Sequence, residues 1–225
     1  MYFAIIGDII SSKKLDERIY IQKELSSCLE EINLKYESSL AKKMNITLGD
    51  EFQGLFTDFS VILEIIHIIE IKIRPVKMRF GIGVGDLTFD LGTYDSPYNS
   101  DGQVWWNARK AIEDVKQNKS KNKLIEYSNI AIITDIESFN ELINPMLGLC
   151  YSININWSEK QRQLIDYTIL NYGLNNTYSI SEVSIVFKQS TSTIHSKYKA
   201  SKYANYISVF QNINQFMIGG VLSVN

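Results

Sequence analysis

The stretch from Asn45 to Phe56, N-I-T-L-G-D-E-F-Q-G-L-F, decides how the first half of the chain is expected to fold. Two short apolar runs lie on either side of its central Gly49-Asp50-Glu51. Because glycine tolerates the positive φ that a tight turn needs, this pattern predicts a β-hairpin with a Gly-Asp turn. We expect the turn to present two adjacent carboxylates at its tip.

A second acidic position lies upstream, at the end of another predicted strand. Tyr2 to Ile10 is a continuous apolar run that contains Gly7-Asp8, and such runs are typical of strands in the middle of a sheet. Two carboxylates delivered by two strand ends are the minimum that a divalent metal and a phosphate need. We therefore expect Asp8 and Asp50 to converge on one site. The alternative is that the two aspartates only cap their strands and bind nothing.

Length and composition are those of an ordinary globular protein. The chain has 225 residues, of which 45% are hydrophobic and 21% charged, and this suits one domain of about 150 residues plus a smaller module. The net charge of −2 is unevenly distributed, because residues 157–225 carry six Lys and Arg against three Asp and Glu. We expect any polyanionic partner to meet this basic tail.

Sequence features also indicate where the protein works. Cys28 and Cys150 lie far apart in apolar contexts, so we expect reduced core residues of a cytoplasmic protein. The amino-terminal apolar run lacks a basic region and becomes acidic at once, which indicates a strand rather than a signal peptide. No uncharged apolar run approaches the ~18 residues that a membrane span requires. We therefore expect a soluble protein with no membrane partner.

Hydrophobic periodicity predicts an α+β fold in which helices lie on one face of a mostly antiparallel sheet. The predicted order is β-α-ββ-α-β-α-β, and the composition shifts near Tyr151. We therefore expect an α+β domain over residues 1–150 and a small all-α domain over residues 151–225. The predicted helices are Leu15 to Tyr36, Val61 to Ile73, Val104 to Lys116 and Ile136 to Leu149, and the remaining strands are Val76 to Gly85, Leu124 to Tyr127 and Ile130 to Thr134.

Three further features of the first half bear on function. Gly81, Gly83 and Gly85 share one face of a predicted strand, where the missing side chains let another molecule approach the backbone closely. The Thr88 to Gln103 loop is long enough to suggest function rather than connection. His67 lies on an apolar helix face, so we expect a packed core histidine rather than a ligand.

The tail has the pattern of a helix-turn-helix unit. Ser158 is the predicted N-cap of a helix that ends near Gly173, and Gln161 closes its capping box. A short helix from Ser179 to about Phe187 follows, then a turn at residues 188–190 and a basic, hydroxyl-rich helix over residues 191–203. The last stretch, residues 207–224, either extends this helix or forms a dimer surface.

This tail resembles the helix-turn-helix of sigma-region-4 and response-regulator DNA binders. The resemblance places the start of the recognition helix at Ser190. Hydroxyl groups there can contact phosphates or base edges, while lysines neutralise the backbone. Base readout is expected to be poor unless Gln189 reaches the groove. The expected DNA-binding residues are Gln189, Ser190, Thr191, Ser192, Thr193, His195, Lys197, Lys199 and Lys202.

Two alternatives apply to the tail. Its charge of about +3 is modest, so useful affinity for DNA requires a homodimer. The other alternative is a small helical bundle that packs on the first domain or dimerises without binding DNA.

Three motifs in the first half resemble the palm of class III nucleotidyl cyclases. They are Asp8-Ile9, the Gly49-Asp50 hairpin and the strand Arg79 to Gly85. In that family an Asp-Ile pair ends the first strand, a Gly-Asp hairpin supplies the second metal carboxylate, and an R-x-G-I-x-x-G strand follows. The tetrad that begins at Gly49, G-D-E-F, is also similar to the hairpin signature of diguanylate cyclases. The resemblance covers about residues 1–116 and implies a ferredoxin-like palm that binds a nucleotide with Mg²⁺ or Mn²⁺.

The resemblance assigns roles to particular positions. Asp8 and Asp50 are the expected metal ligands, with Glu51 as a third acid. Phosphoryl transfer needs a divalent metal to neutralise triphosphate charge, and carboxylates at adjacent strand ends can hold it. The expected nucleotide-binding residues, which meet phosphates or leave room for the nucleotide, are Ile9, Lys13, Lys14, Gly49, Gly81, Gly83, Asn107 and Arg109.

Two departures from the cyclase pattern argue against catalysis but leave nucleotide binding as an expectation. Ile46 stands three residues before the hairpin glycine, where cyclases usually carry a base-reading lysine. Asn107 and Arg109 are two residues apart, whereas cyclases usually have Asn and Arg four apart on a late helix. These departures favour a sensing palm over an active one and leave no catalytic residue assigned.

The whole arrangement resembles the SatD family of small bacterial proteins, on the palm together with S-E-V at Ser181 and S-T-S-T-I at Ser190. We expect a bacterial transcription regulator whose nucleotide- or metal-sensing palm is coupled to a DNA-binding tail. One alternative is a metal-dependent nucleotidyl cyclase or nucleotidyltransferase. The other is a non-catalytic interaction or scaffold protein in which both sites are vestigial.

Overall fold

The computed structural model describes residues 1–10, 18–121, 128–174 and 177–219. Within these ranges, a five-stranded sheet has the order β2-β3-β1-β4-β7, and a separate two-stranded ribbon pairs β5 with β6. The strands are β1 (Tyr2–Ile9), β2 (Leu40–Leu48), β3 (Glu51–Phe56), β4 (Met78–Gly85), β5 (Phe89–Asp90), β6 (Ser100–Asp101) and β7 (Ile130–Ile133).

The helices follow the strands in the order that hydrophobic periodicity predicts. They are α1 (Arg18–Lys35), α2 (Ile62–Ile73), α3 (Gln103–Lys121), α4 (Glu137–Ile155), α5 (Glu159–Tyr172), α6 (Ile180–Phe187), α7 (Thr191–Ala200) and α8 (Tyr203–Gly219). The predicted strand at residues 124–127, together with Lys13 and Lys14, lies outside the described residues.

The sheet is mixed, and the α+β class is confirmed. Strand β1 pairs antiparallel with both β3 and β4, and β7 adds in parallel to β4. The first four main strands with α1 and α2 therefore have the split βαβ order of a ferredoxin-like domain. The predicted hairpin is present: Leu48 pairs with Glu51, and Gly49 at the turn has a φ of 66°. That positive φ is the physical reason for glycine at this position.

The prediction that helices cover only one face of the sheet is wrong. Alternate residues of β1 point to opposite faces, and both faces are apolar. Phe3 and Ile5 join the core that includes α1 and α2, whereas Ala4 and Ile6 pack with residues of α3. A strand buried on both faces gives a continuous apolar run in the sequence, with no alternation to reveal a second helical layer.

The helical tail shares the core of the sheet domain. Helix α4 runs without a break through residue 150, so the expected boundary between residues 150 and 151 falls inside it. Helix α8 buries Ile207, Phe210 and Ile213 in the same core as α2, and Phe216 stacks on Phe139 of α4 with ring centroids 4.6 Å apart.

The end of the predicted last helix needs a correction. Helix α7 ends at Ala200, Lys202 adopts a positive φ of 56°, and a separate helix then begins at Tyr203. Residues 207–219 therefore do not extend α7. Their buried stripe packs inside the molecule, Phe216 and Ile218 are 45% and 51% exposed, and residues 220–224 of the predicted stretch lie outside the described residues.

Several local predictions are confirmed. Ser158 and Gln161 form a capping box at the start of α5, which ends before Gly173. His67 is a core histidine whose ring nitrogens lie 2.6 Å from the Leu63 carbonyl and 2.8 Å from the Tyr206 hydroxyl. Both cysteines are buried and free. Among the described helices, none combines the length and hydrophobicity that crossing a bilayer requires.

Candidate functional site

Five charged side chains meet where β1 ends, and we call them the charged cluster. Asp8 lies opposite Glu51 of β3 on one side and opposite Arg79 of β4 on the other. All three lie on the face of the sheet that α3 covers. Helix α3 adds Arg109 and Lys116, which are seven residues apart and therefore lie on the same side of the helix.

The two acids of the charged cluster are held by its three cations. An Arg79 guanidinium nitrogen donates to Asp8 at 3.3 Å, and the Lys116 ammonium lies 3.1 Å from the same oxygen. Arg109 donates two hydrogen bonds to the Glu51 carboxylate, at 2.6 and 2.8 Å. Asp8 and Glu51 are each only 8% exposed. Two-point pairing of this kind is among the stronger polar contacts in proteins.

The pKa of Glu51 reflects this pairing. Burial by itself raises the pKa, but hydrogen bonds from Arg109 and Gln53 outweigh burial and hold the pKa of Glu51 below its usual value. The hydrogen bond to Glu51 also raises the pKa of Arg109. Both groups therefore stay charged at neutral pH.

Of the expected metal ligands, Asp8 and Glu51 pair with cationic side chains, and the metal site itself stays a prediction. The hairpin and β1 do meet, because the Ile9 amide donates to the Asp50 carbonyl at 3.2 Å. Glu51, however, is not at the turn tip but buried against Arg109. In the described parts of the chain, no three His, Cys, Asp or Glu side chains are grouped to hold an ion. A divalent ion bound by Asp8 and Glu51 would have to displace Arg79, Lys116 or Arg109 from these carboxylates.

The expected room for a nucleotide above β4 is filled by α3. A side chain added at Gly81 would lie 2.5 Å from the Ala108 carbonyl, and one at Gly83 would lie 2.1 Å from the Val104 carbonyl. The glycines thus let a helix backbone approach the sheet, and α3 occupies the space that their assignment to nucleotide binding required. Asn107 is likewise structural, because it is buried and its amide donates to the Val84 carbonyl at 2.7 Å.

The remaining expected nucleotide-binding residues are dispersed. The Ile9 side chain is buried in the core. Gly49 is exposed at the turn, where its carbonyl accepts a hydrogen bond from the Gln22 side chain. Of the set, Arg109 belongs to the charged cluster.

The sequence reasoning missed three basic residues of this face. Arg79 and Lys116 contact Asp8, and the spacing of Lys116 from Arg109 was the signal for a shared helix side. Lys42 of β2 is 3% exposed and lies 2.8 Å from Asp90, and its ammonium also donates to the Thr93 carbonyl at 3.1 Å. Buried Lys42 therefore holds the Thr88 to Gln103 loop against the sheet through its contacts with Asp90 and Thr93.

Helices α6 and α7 form a short helix, a turn and a second helix. Lys188 at the turn has a positive φ of 50°, and the Ser190 side chain caps α7 by accepting from the Thr193 amide at 3.2 Å. Ile194 and Tyr198 are buried, which fixes the inner side of α7. The expected DNA-binding residues that are exposed are Ser190, Thr191, Ser192, Thr193, His195, Lys199 and Lys202.

Two expected DNA-binding residues contact each other instead. The Lys197 ammonium donates to the Gln189 side chain at 2.7 Å, and both residues are half-buried. Gln189 therefore does not reach outward in this structure, which leaves the exposed side of α7 with hydroxyls, an imidazole and lysines.

The fold and the charged cluster define an α+β protein with a ferredoxin-like sheet domain and a helical tail. The model of the SatD family matches residues 2–217, and the chain belongs to that family. Among solved structures, the crystal structure of the guanylyl cyclase Cya2 is similar, with 14% sequence identity and a TM-score of 0.37. That similarity covers 50% of this chain and 68% of the cyclase chain. A comparison with curated proteins finds no significant match.

Proposed function

We propose that this protein binds duplex DNA through α7 and acts as a bacterial cytoplasmic regulator, with the sheet domain as the body that carries the DNA-binding helix. One observation carries this proposal: α7 is packed against the protein on its inner side and presents hydroxyls and cations on its outer side.

The inner side of α7 is fixed by packing and by one buried hydrogen bond. Ile194 and Tyr198 are buried between α7 and its neighbours. The Tyr198 hydroxyl lies 2.5 Å from the Thr168 hydroxyl of α5. A helix fixed in this way can enter a groove without losing conformational freedom on binding, which reduces the entropic cost of association.

The outer side of α7 carries groups that suit a phosphate backbone. Ser192, His195 and Lys199 are exposed on it, and Lys188 and Lys202 lie exposed at its two ends. No Asp or Glu follows Glu182 in the sequence. Lysines neutralise phosphates and hydroxyls donate to them, and α7 contains no Arg, Asn or Gln for two-point contacts with base edges. The proposed binding is therefore mainly to the DNA backbone and weakly sequence-specific.

A homodimer is part of this proposal because a single α7 offers few phosphate contacts. Two copies double the number of neutralised phosphates and place two helices on successive turns of the groove. Sedimentation of the protein with and without duplex measures the number of copies bound.

The test is fluorescence anisotropy with a labelled random-sequence duplex at several salt concentrations. We expect binding at low salt that weakens steeply between about 50 and 200 mM salt. Replacing Lys199 by alanine should reduce the slope of log affinity against log salt by about 1. The matched control is Lys23→Ala, an exposed lysine of α1. Absence of binding at low salt by either monomer or dimer would overturn the proposal.

The charged cluster favours a second candidate function, the binding of a nucleotide by its phosphates without a metal. Arg79, Arg109 and Lys116 converge there against two carboxylates, and the partly exposed Arg109 and Lys116 can pair with phosphate oxygens at the surface. A ligand that binds only the folded protein raises the thermal midpoint by mass action. We expect one nucleoside triphosphate to raise the midpoint of wild type without Mn²⁺ and to have no effect on Arg109→Ala. No shift with any nucleotide would leave the palm as a scaffold.

A further inference from the structure

A cavity lies where the sheet domain meets the helical tail. It has a volume of about 270 Å³ and is bounded by the end of α2, the start of β4, and helices α4 and α5. Its polar lining consists of Glu70, Arg74, Lys77, Asn129, Tyr151, Asn154 and Arg162. Clefts for drug-sized ligands measure ~300–1,000 Å³, so this cavity suits a smaller molecule than a nucleotide.

The acidic side of the cavity is Glu70. Its carboxylate accepts a hydrogen bond from the Asn129 side chain, which also donates to the Met78 carbonyl at 3.2 Å. Burial raises the pKa of Glu70 to about 7, although the bond from Asn129 lowers it. Because the Glu70 carboxyl is partly desolvated, a ligand that supplies a hydrogen-bond donor or a positive charge would stabilise its charged form.

The basic side of the cavity consists of two arginines and a lysine. Arg74 pairs with Asp166 of α5, with one contact of 3.3 Å, and so joins the end of α2 to the helical tail. Arg162 donates to the Asn154 side chain at 3.0 Å and to its carbonyl at 2.8 Å. Lys77 is exposed at the rim. These groups favour an anionic group on the ligand.

We propose that this cavity binds a small molecule that carries a carboxylate and a neighbouring amino group, the pattern of an amino acid. The carboxylate lies toward Lys77 and the two arginines, and the amino group lies toward Glu70. Met78 and Ile155 line the same cavity and provide apolar contact for a side chain.

The cavity is connected to the helix that follows α7. The Asn154 side chain lies 3.4 Å from the Tyr206 hydroxyl, which in turn lies 2.8 Å from the His67 ring. This series of hydrogen bonds connects α4, α8 and α2. A ligand that moves Asn154 therefore acts on α8 and, through it, on the position of α7. This regulatory part rests on the proposed DNA binding, whereas the binding site itself does not.

The experiment is a thermal-shift panel of the proteinogenic amino acids, each added separately to the full chain. We expect at least one to raise the midpoint of wild type. The rise should be lost in Lys77→Ala, whose exposed side chain the fold does not need, and in Glu70→Gln. It should persist in Lys72→Ala, a control on the same helix as Glu70 but outside this cavity.

Two results would overturn the proposal. Absence of a shift with every amino acid rejects the ligand class, and a shift that persists in both cavity variants rejects the site. The midpoint is measured without DNA, so failure here is distinct from failure of DNA binding. The same amino acid is then added to the anisotropy assay, where an unchanged DNA affinity would reject only the coupling.

Discussion

The Glu51 carboxylate on β3 is held at two points by the Arg109 guanidinium on α3, at 2.6 and 2.8 Å. This pair joins the hairpin to α3, which covers the face of the sheet opposite to α1 and α2. Breaking it leaves a carboxylate that is 8% exposed without its principal partner. Removal of one member of such a pair costs more than the pair itself contributes, because the remaining charge stays desolvated.

Arg109→Ala is therefore expected to destabilise the protein by about 2 kcal/mol, since the arginine itself is partly exposed and solvent screens part of the loss. Urea unfolding measures this change. Lys110→Ala, at the adjacent exposed position, is the matched control and should change stability by less than about 0.5 kcal/mol. Equal stability of the two variants would contradict the role assigned to the pair.

Gly83→Ala tests the close packing of α3 on β4. The added carbon would lie 2.1 Å from the Val104 carbonyl and 2.2 Å from the Ala108 amide nitrogen, so the helix must move away from the sheet. We expect a loss of about 3 kcal/mol, at the upper end for overpacking. Gly219→Ala, whose added carbon would meet nothing within 4 Å outside its own helix, is the control and should be close to neutral. A Gly83→Ala protein with unchanged urea midpoint would show that α3 does not lie on this strand as described.

His67 and Glu70 should make opposite contributions to stability as pH changes. Burial lowers the pKa of His67 to about 4 and raises the pKa of Glu70 to about 7. Between pH 6.5 and 4, His67 is protonated in the unfolded chain but not in the folded protein. Acid therefore lowers the free energy of unfolding through His67. Between pH 7 and 4.5, Glu70 is protonated in the folded protein but not in the unfolded chain. Acid therefore raises the free energy of unfolding through Glu70.

Glu70→Gln removes the second contribution and leaves the first. Relative to wild type, the variant should lose roughly 3 kcal/mol more stability when the pH falls from 7 to 4.5, as each pKa unit corresponds to about 1.4 kcal/mol. Urea unfolding of both proteins across this range measures the difference. Parallel pH profiles would show that Glu70 titrates as an ordinary exposed carboxyl.

The parts of the fold that depend on local signals were predictable from the sequence. Gly49 at the turn, Ser158 at the N-cap and the apolar face around His67 each act through residues a few positions away. The charged cluster was not predictable in the same way. Asp8 and Arg79 meet only because β1 and β4 pair in one register, and Glu51 faces inward only because it begins β3 rather than ending the turn.

The glycines of β4 show a second limit of sequence reasoning. Gly81 and Gly83 correctly indicated that something approaches the strand closely, but a ligand and a helix backbone leave the same signal. The choice between them depends on whether the helix that follows the loop of residues 88–103, α3, packs against β4. Burial of Lys42 beside Asp90 is similarly non-local, because the two residues lie on β2 and on the distant β5.

The central claim, that the outer side of α7 faces DNA, is tested most directly by site-specific cross-linking. Both native cysteines, Cys28 and Cys150, are buried, and burial raises the pKa of these thiols to about 11 and about 12, so neither competes for a thiol reagent. Ser192→Cys places a reactive thiol on α7, and Ser27→Cys places one at an exposed position of α1 as the control. Each variant is labelled with a photo-activated cross-linker and irradiated with duplex DNA at low salt. The proposal predicts cross-links from residue 192 and none from residue 27; equal yields from both, or none from residue 192, would contradict it.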